Sequence, residues 1–170
     1  MKYAYADPPY LGCGKLYKQH HSEAMIWDTP EAHRKLIESL AAYDGWALSL
    51  STPSLKTILP MCPADCRVAA WVKPFAVFRP NVNPAYAWEP VIFRGSAKRA
   101  RFDPTIRDWV SASITLKKGL VGAKPLGFAE WILRLLGVTP WDEFVDLFPG
   151  TGIVGKTFEE EKKLFRGDLV

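Results

Sequence analysis

The chain has 170 residues, 48% of them hydrophobic, and a formal net charge of +4. That length suits one domain with a substantial core, and the composition is that of a globular protein. No apolar run approaches a membrane span, no leader is expected before the first strand, and so modest a charge does not by itself demand nucleic acid.

Lys2–Ala6 is the first predicted strand, and it runs into Asp7-Pro8-Pro9-Tyr10. Two successive prolines forbid helix continuation and withhold their N–H groups. The strand mouth therefore holds an acceptor carboxylate, a rigid carbonyl and an aromatic plate. Asp7 and the Pro8 carbonyl can both accept from one amino group while Tyr10 stacks on the ring that carries it. A planar exocyclic amine fits.

A polar, glycine-containing loop follows from Leu11 to Glu23. Thr29-Pro30-Glu31 has the order of an N-cap, a first-turn proline and an acidic first turn, so a helix is predicted to about Ala42. Trp46–Ser51 is a predicted buried strand, Pro53–Met61 a short helix and Arg67–Val72 a strand. Phe75–Trp88 is irregular, and Pro90–Phe93 is a short strand. From Arg94 to Lys118 positive charge gathers, in Arg94, Lys98, Arg99, Arg101, Arg107, Lys117 and Lys118 against Asp103 and Asp108. Such a segment is either a phosphate-contacting surface or a solvated loop. Lys124-Pro125 precedes a strongly amphipathic helix, Leu126–Leu136, closed by Gly137. Phe144–Leu147 is a strand, Ile153–Glu161 a helix and Leu164–Gly167 a final short strand ending at Asp168. Strands alternating with helices predict an α/β sheet with helices on both faces.

The three cysteines, Cys13, Cys62 and Cys66, make an odd count that fits a reducing cytoplasm better than a disulfide framework. No metal site is expected: Cys62 and Cys66 lack a matching second pair, and His20, His21 and His33 read as solvated loop and helix residues. Trp71, Trp88, Trp109, Trp131 and Trp141 are expected in core or groove positions.

Asp146-Leu147-Phe148-Pro149-Gly150-Thr151-Gly152 joins a strand to a helix. Glycines there let a ligand approach the backbone, and the helix start offers N–H donors. Gly150 through Thr157 also matches a phosphate-loop pattern, with Lys156 on phosphate and Thr157 on magnesium. Context argues against that reading, because too little sequence follows Thr157 for a strand bringing a metal-binding acid. In the rival reading the turn holds an adenosyl cofactor. Asp168 then stands near the roughly 20-residue spacing expected of an acid that binds ribose hydroxyls.

Together these residues resemble the DNA amino-methyltransferases that use S-adenosylmethionine. Asp7-Pro8-Pro9-Tyr10 is similar to their catalytic motif, and Asp146 to Gly152 to their cofactor motif. The order, catalytic motif first, resembles the permuted beta group, as does Lys124-Pro125 before a helix. The resemblance covers nearly the whole chain. It implies a minimal, circularly permuted, Rossmann-like and doubly wound sheet, mostly parallel, of the class I methyltransferase type. Residues 1–170 would form one domain, with a small target-recognition insertion at about 94–118. The motif strands are expected side by side at the sheet's switch point.

The implied reaction moves a methyl group from S-adenosylmethionine to the exocyclic amine of a base flipped out of DNA. Asp7, Pro8, Pro9 and Tyr10 are the implied catalytic residues. Asp146, Phe148, Gly150, Thr151, Gly152, Asp168, Lys124, Pro125 and Asp7 would line the cofactor. Lys15, Lys18, Arg94, Lys98, Arg99 and Arg101 would meet nucleic acid, and the 11–23 loop would close over the flipped nucleotide. Asp at the first motif position resembles the adenine-N6 enzymes; cytosine-N4 and RNA adenine methylation, or a catalytically inert nucleic-acid-binding partner subunit, are the alternatives. Two departures stand out. Many relatives carry a Gly-Asp segment and a further strand before the catalytic motif, which are absent here, and room for that strand after Asp168 is lacking too. Adenine contacts are therefore expected to be reduced, and an exposed sheet edge would invite a homodimer.

Overall fold

A computed structural model describes residues 1–17, 24–75, 80–95, 101–114 and 123–167. Lys18, His20, His21, Lys98, Arg99, Lys117, Lys118 and Asp168 lie outside the described residues.

Among the described residues six strands make one sheet. They are β1 (Lys2–Ala6), β2 (Gly45–Ser49), β3 (Arg67–Val72), β4 (Trp88–Arg94), β5 (Trp109–Ser111) and β6 (Glu143–Asp146), in the spatial order β5-β3-β4-β2-β1-β6. The pairs β1–β2, β1–β6 and β3–β5 are parallel, whereas β4 runs antiparallel to both neighbours. Five strands thus point one way, and β4 alone points back. The chain's last strand lies beside its first.

Side chains alternate across each strand, so one strand feeds two cores. Tyr3, Tyr5, Ala47, Trp71, Val91 and Phe93 face α4 (Leu126–Leu136) and Val154 of α5 (Ile153–Arg166). Ala4, Ala6, Trp46, Leu48 and Ile92 face the other way, against α2 (Pro30–Ser39) and α3 (Thr52–Ile58). Helices on both faces make the sheet doubly wound, as the alternation of elements predicts. Lys2 excepted, β1 is buried throughout, which explains its near-continuous apolar run. Among the described residues no helix is long and apolar enough to cross a membrane.

The caps obey the sequence. Thr29 accepts the Ala32 N–H and Pro30 opens α2, while Gly137 closes α4 in the left-handed conformation. A very short helix, α1 (Gly14–Tyr17), and a 3₁₀ turn over Ala24–Asp28 occupy the ends of the predicted 11–23 loop. The Asp28 carboxylate accepts from the Gly14 N–H at 2.8 Å and ties those ends together.

Three expectations need correction. Leu164–Gly167 is not a strand: α5 runs to Arg166, and Gly167 is its left-handed cap. No strand therefore leads to Asp168. Trp109–Ser111, inside the basic segment, is a sheet strand, so part of the 94–118 insertion belongs to the sheet itself. His33 is buried rather than solvated, with its Nε2 2.9 Å from the Trp27 carbonyl oxygen. Among the tryptophans, Trp71 and Trp131 are core residues and Trp88 lines a hollow, as expected, but Trp109 and Trp141 are exposed.

Gly95 ends β4 with φ +68°, and a Cβ built there would stand 2.4 Å from the Asp44 carbonyl oxygen. Both the left-handed backbone and the contact exclude a side chain. Gly95→Ala is expected to lower stability by roughly 1–3 kcal/mol, read as a lower urea midpoint with unchanged slope.

Candidate active site

The two motifs sit at adjacent strand ends. In the β1–β6 register Tyr5 lies opposite Asp146, and the Leu147 N–H donates to the Tyr5 carbonyl at 2.9 Å. Asp7 and Asp146 therefore emerge from neighbouring parallel strands at their C-terminal ends. That edge is where open α/β sheets place ligand crevices.

Asp7 is met there by Lys124. The Lys124 Nζ stands 3.0 Å from each oxygen of the Asp7 carboxylate, 2.9 Å from the Tyr10 hydroxyl and 3.5 Å from Glu89 Oε2. Three N–H donors thus face three oxygen-bearing groups. The rings of Tyr10, Trp71 and Phe128 also lie 5.3, 5.5 and 5.9 Å from the ammonium, within cation–π range. The Lys124 side chain is only 5% exposed. The following proline holds Lys124 extended, and α4, begun at Leu126, buries Phe128 against β1 and β3. Sequence and packing together aim this lysine at Asp7.

Glu89 completes the cluster. It lies opposite Trp71 in the β3–β4 ladder and on the α4 side of the sheet, as Val91 and Phe93 do. Its Oε1 pairs with Lys73, and its Oε2 is 2.8 Å from the Tyr10 hydroxyl. That hydroxyl is also 3.1 Å from Asp7 Oδ1. With a single proton to give, Tyr10 donates along the shorter contact, to Glu89, and accepts from Lys124. Its ring is a plate anchored at the far end.

The electrostatics follow from burial and these partners. Burial pushes the Asp7 carboxyl above its usual range against the pull of Lys124, and Glu89 adds to the rise. Burial works the same way on Glu89, but the ammonium groups of Lys124 and Lys73 outweigh it and hold that carboxyl below the usual range. The Tyr10 phenol is pushed well above its ordinary value by burial and by both carboxylates. Among the described residues no cation compensates Asp146. Burial raises it to about 6, despite hydrogen bonds from the Phe148 and Gly155 backbone, and Asp7 pushes the same way.

The glycine turn is built as the sequence predicts. Gly150 and Gly152 have φ +49° and +71°, and Gly152 caps the start of α5. A Cβ at Gly150 would meet nothing nearer than 3.9 Å, so its bare surface is open to a ligand. Lys156 is exposed and its Nζ reaches the Thr151 carbonyl at 3.4 Å, while the buried Thr157 hydroxyl donates to Ile153 O at 2.8 Å. A threonine so engaged is not poised for magnesium, which disfavours the phosphate-loop reading. Phe148 is half-buried, edge-on to Trp27 at 5.0 Å. Beside the cluster, Thr52, Asn81, Tyr86 and Trp88 line an open hollow of about 390 Å³.

The basic residues are placed less uniformly. Lys15 is exposed on α1, just beyond the turn in which the Cys13 N–H donates to the Tyr10 carbonyl at 2.8 Å. Arg94 sits at the other end of the sheet. It pairs with Trp46 near the start of β2, roughly 17 Å along β4 from Glu89 at about 3.3 Å per residue. Its Nε donates to both oxygens of Asp65 at 2.9 Å. Arg94 is thus remote from the Asp7 cluster and paired with Asp65. Arg101 is exposed.

Glu89, Lys73 and Trp27 escaped the sequence reading. A lone acid within the apolar run Trp88-Glu89-Pro90-Val91-Ile92-Phe93 was the available signal, since such a residue is costly unless paired.

No protein-family model matches the chain, and no curated protein matches it. Solved structures do. The M1.HpyAVI–SAM complex aligns with a TM-score of 0.61 at 15% sequence identity, over 95% of this chain and 78% of that one. A second M1.HpyAVI structure gives 0.56 at 12%, covering 95% and 76%. What is shared at this identity is the fold.

Proposed function

We propose that the chain is an S-adenosylmethionine-dependent DNA methyltransferase acting on the N6 amine of adenine. The observation that carries this reading is the adjacency of Asp7-Pro8-Pro9-Tyr10 and the Asp146–Gly152 turn at one edge of the sheet. Its fold neighbour M1.HpyAVI, solved as a complex with SAM, supports the cofactor.

The chemistry needs positioning more than covalent participation. The methyl group sits on a sulfonium, and the aromatic ring withdraws the amine's lone pair. Asp7 and the Pro8 carbonyl accept the two amine hydrogens and favour a pyramidal, nucleophilic nitrogen in line with the methyl carbon. Tyr10 stacks on the flipped base, its plane fixed through the anchored hydroxyl. Flipping costs a few kcal/mol, which base stacking and phosphate contacts offset. Tyr86 and Trp88 offer further planes for neighbouring bases.

S-adenosylmethionine fits the turn on charge. Among Asp7, Asp146, Glu89, Lys73 and Lys124 there is one more anion than cation, which suits a ligand bearing sulfonium and ammonium charges. Gly150 leaves room beside the backbone, Phe148 would pack on the cofactor, and Asp146 would face its cationic end. Lys124 and Pro125 shape the same crevice through Asp7. Asp168, Lys15, Lys18, Lys98, Arg99 and Arg101 are proposed as ribose and DNA contacts.

A pH dependence follows from Asp146. Its folded value, about 6, lies above the ordinary 3.8. Its contribution to the stability of the ligand-free chain is therefore full below about 3.8 and is lost as pH rises through about 6. A cationic ligand selects the ionised form, so cofactor affinity moves oppositely. Titration calorimetry is expected to show tighter S-adenosylmethionine binding at pH 7 than at pH 5, by roughly tenfold for a value near 6; Asp146→Asn should be weak and flat across that range.

The function itself is tested by incubating the chain with radiolabelled S-adenosylmethionine and duplexes with or without adenine. Label in the adenine-containing duplex alone supports the reading. Cofactor binding without transfer to any duplex supports the inert partner, and label in adenine-free DNA moves the reading to cytosine.

A further inference from the structure

In this arrangement the Asp7 carboxylate is already occupied, since the Lys124 ammonium lies 3.0 Å from Oδ1 and from Oδ2. An amine that donates to Asp7 shares that carboxylate with the ammonium and loosens its hold on it. The Lys124 side chain is 5% exposed, so an ammonium that leaves Asp7 needs another anion. Glu89 is that anion, its Oε2 3.5 Å from Nζ. The distance is longer than the Asp7 contact, so the ammonium leans toward Asp7 with Glu89 within reach of a small movement. Lys73 holds the other Glu89 oxygen and keeps the carboxylate aimed inward.

We propose that Glu89 is a positioning residue that takes over the Lys124 ammonium when the substrate amine occupies Asp7. This rests on the methyltransferase reading above and deepens it. No proton is transferred: Lys124 remains an ammonium, Asp7 and Glu89 remain carboxylates, and only hydrogen bonds are exchanged. One N–H of Lys124 shifts from Asp7 to Glu89 Oε2, and the amine donates to the oxygen released. The Tyr10 hydroxyl bridges both carboxylates and can turn its proton toward Asp7 or Glu89 as the ammonium shifts. Among the described residues, the groups that face Lys124 stay engaged in both states: Asp7 and Tyr10 from the β1 end, Glu89 from β4, and the Trp71 and Phe128 rings.

The mechanism makes a charge-specific prediction. Glu89→Gln keeps the side-chain shape but lacks the anion, so Lys124 stays clamped on Asp7. Single-turnover transfer at saturating cofactor and DNA is expected to slow at least roughly tenfold, with the cofactor dissociation constant changed by less than about threefold. Glu89→Asp, which restores the charge, should recover much of the rate. In a Lys124→Met background no ammonium needs a second partner, so Glu89→Gln should cost less than about threefold there.

Equal losses from Glu89→Gln in both backgrounds would overturn the handover, as would a rate loss matched by lost cofactor affinity. If Lys124→Met does not fold, the Asp-against-Gln comparison decides alone, and equal rates for those two variants overturn it. Wild-type chain that binds cofactor yet transfers no methyl group sinks the functional reading and this proposal with it. An active wild type with an additive cycle sinks the handover alone.

Discussion

Asp7→Ala is expected to reduce methyl transfer to DNA by at least roughly 10²–10³-fold, the size seen when a single preorganised polar group is removed from a reacting centre. Affinity for S-adenosylmethionine should change by only a few-fold. The asymmetry follows from position. In the proposed reading Asp146 and the glycine turn hold the cofactor beside β6, whereas Asp7, just past the end of the neighbouring β1, faces the amine. The variant should fold, because Lys124 keeps Glu89 and Tyr10 as partners. Asp146 also loses a like charge, so its carboxyl should fall from about 6 and the acid limb of cofactor binding should move down with it. Calorimetry and single-turnover rates on the same preparation separate the two effects. A loss of cofactor affinity as large as the loss of rate would make Asp7 chiefly a cofactor ligand.

Lys124→Met is expected to have the largest effect on stability. A methionine matches the lysine stem in length, but Asp7 and Glu89 then face each other with Lys73 as the one remaining cation of the cluster. Removing one partner of a buried ionic group typically costs about 3–5 kcal/mol, because the charges left behind stay out of water. A side chain 5% exposed belongs to that case rather than to the weak surface pairs. The cost should depend on pH with a definite sign. Glu89 is held below its ordinary 4.5 in the folded chain. Its ion pairing therefore stabilises the fold above that ordinary value and is lost as pH falls through the depressed one. The wild-type advantage in urea unfolding should be widest near neutrality and should narrow as the carboxylates take up protons. A gap of equal size at pH 7 and pH 4 would mean that Lys124 stabilises by packing, not by charge.

The parts of this fold written in local chemistry were legible in the sequence. Tyr3-Ala4-Tyr5-Ala6 ending in two prolines, the Thr29-Pro30 cap and the Leu126–Leu136 stripe closed by Gly137 all agree with the structure, because propensity, periodicity and capping point the same way there. Leu164-Phe165 misled. An apolar pair before glycine suggested a strand, yet Lys162, Lys163 and Arg166 suit a helix C-terminus and Gly167 is the left-handed cap that ends it. Both apolar residues are left exposed on α5, a cost that local periodicity does not reveal. Trp109–Ser111 was hidden because three residues carry no measurable alternation and the strand exists only through its pairing with β3.

The site divides along the same line. Asp7, Tyr10, Lys124, Asp146 and the glycines announce themselves through motif chemistry. The β1–β6 adjacency brings those motifs to one edge of the sheet. Glu89 shows locally only as an acid within an apolar run and Lys73 not at all, since their roles arise when antiparallel β4 delivers Glu89 to the same sheet end as Asp7. Arg94 is the converse case. Its charge was visible, but the direction of β4 sends it to the opposite end, where Asp65 holds it.

The most direct measurement is nucleoside-resolved mass spectrometry of duplex DNA incubated with the chain and S-adenosylmethionine bearing a deuterated methyl group, run beside Asp7→Ala. Deuterated N6-methyladenine in the wild-type reaction and its absence from the variant is the predicted result. Unlabelled nucleosides from a wild-type chain that binds the cofactor, or equal label from both proteins, would contradict it.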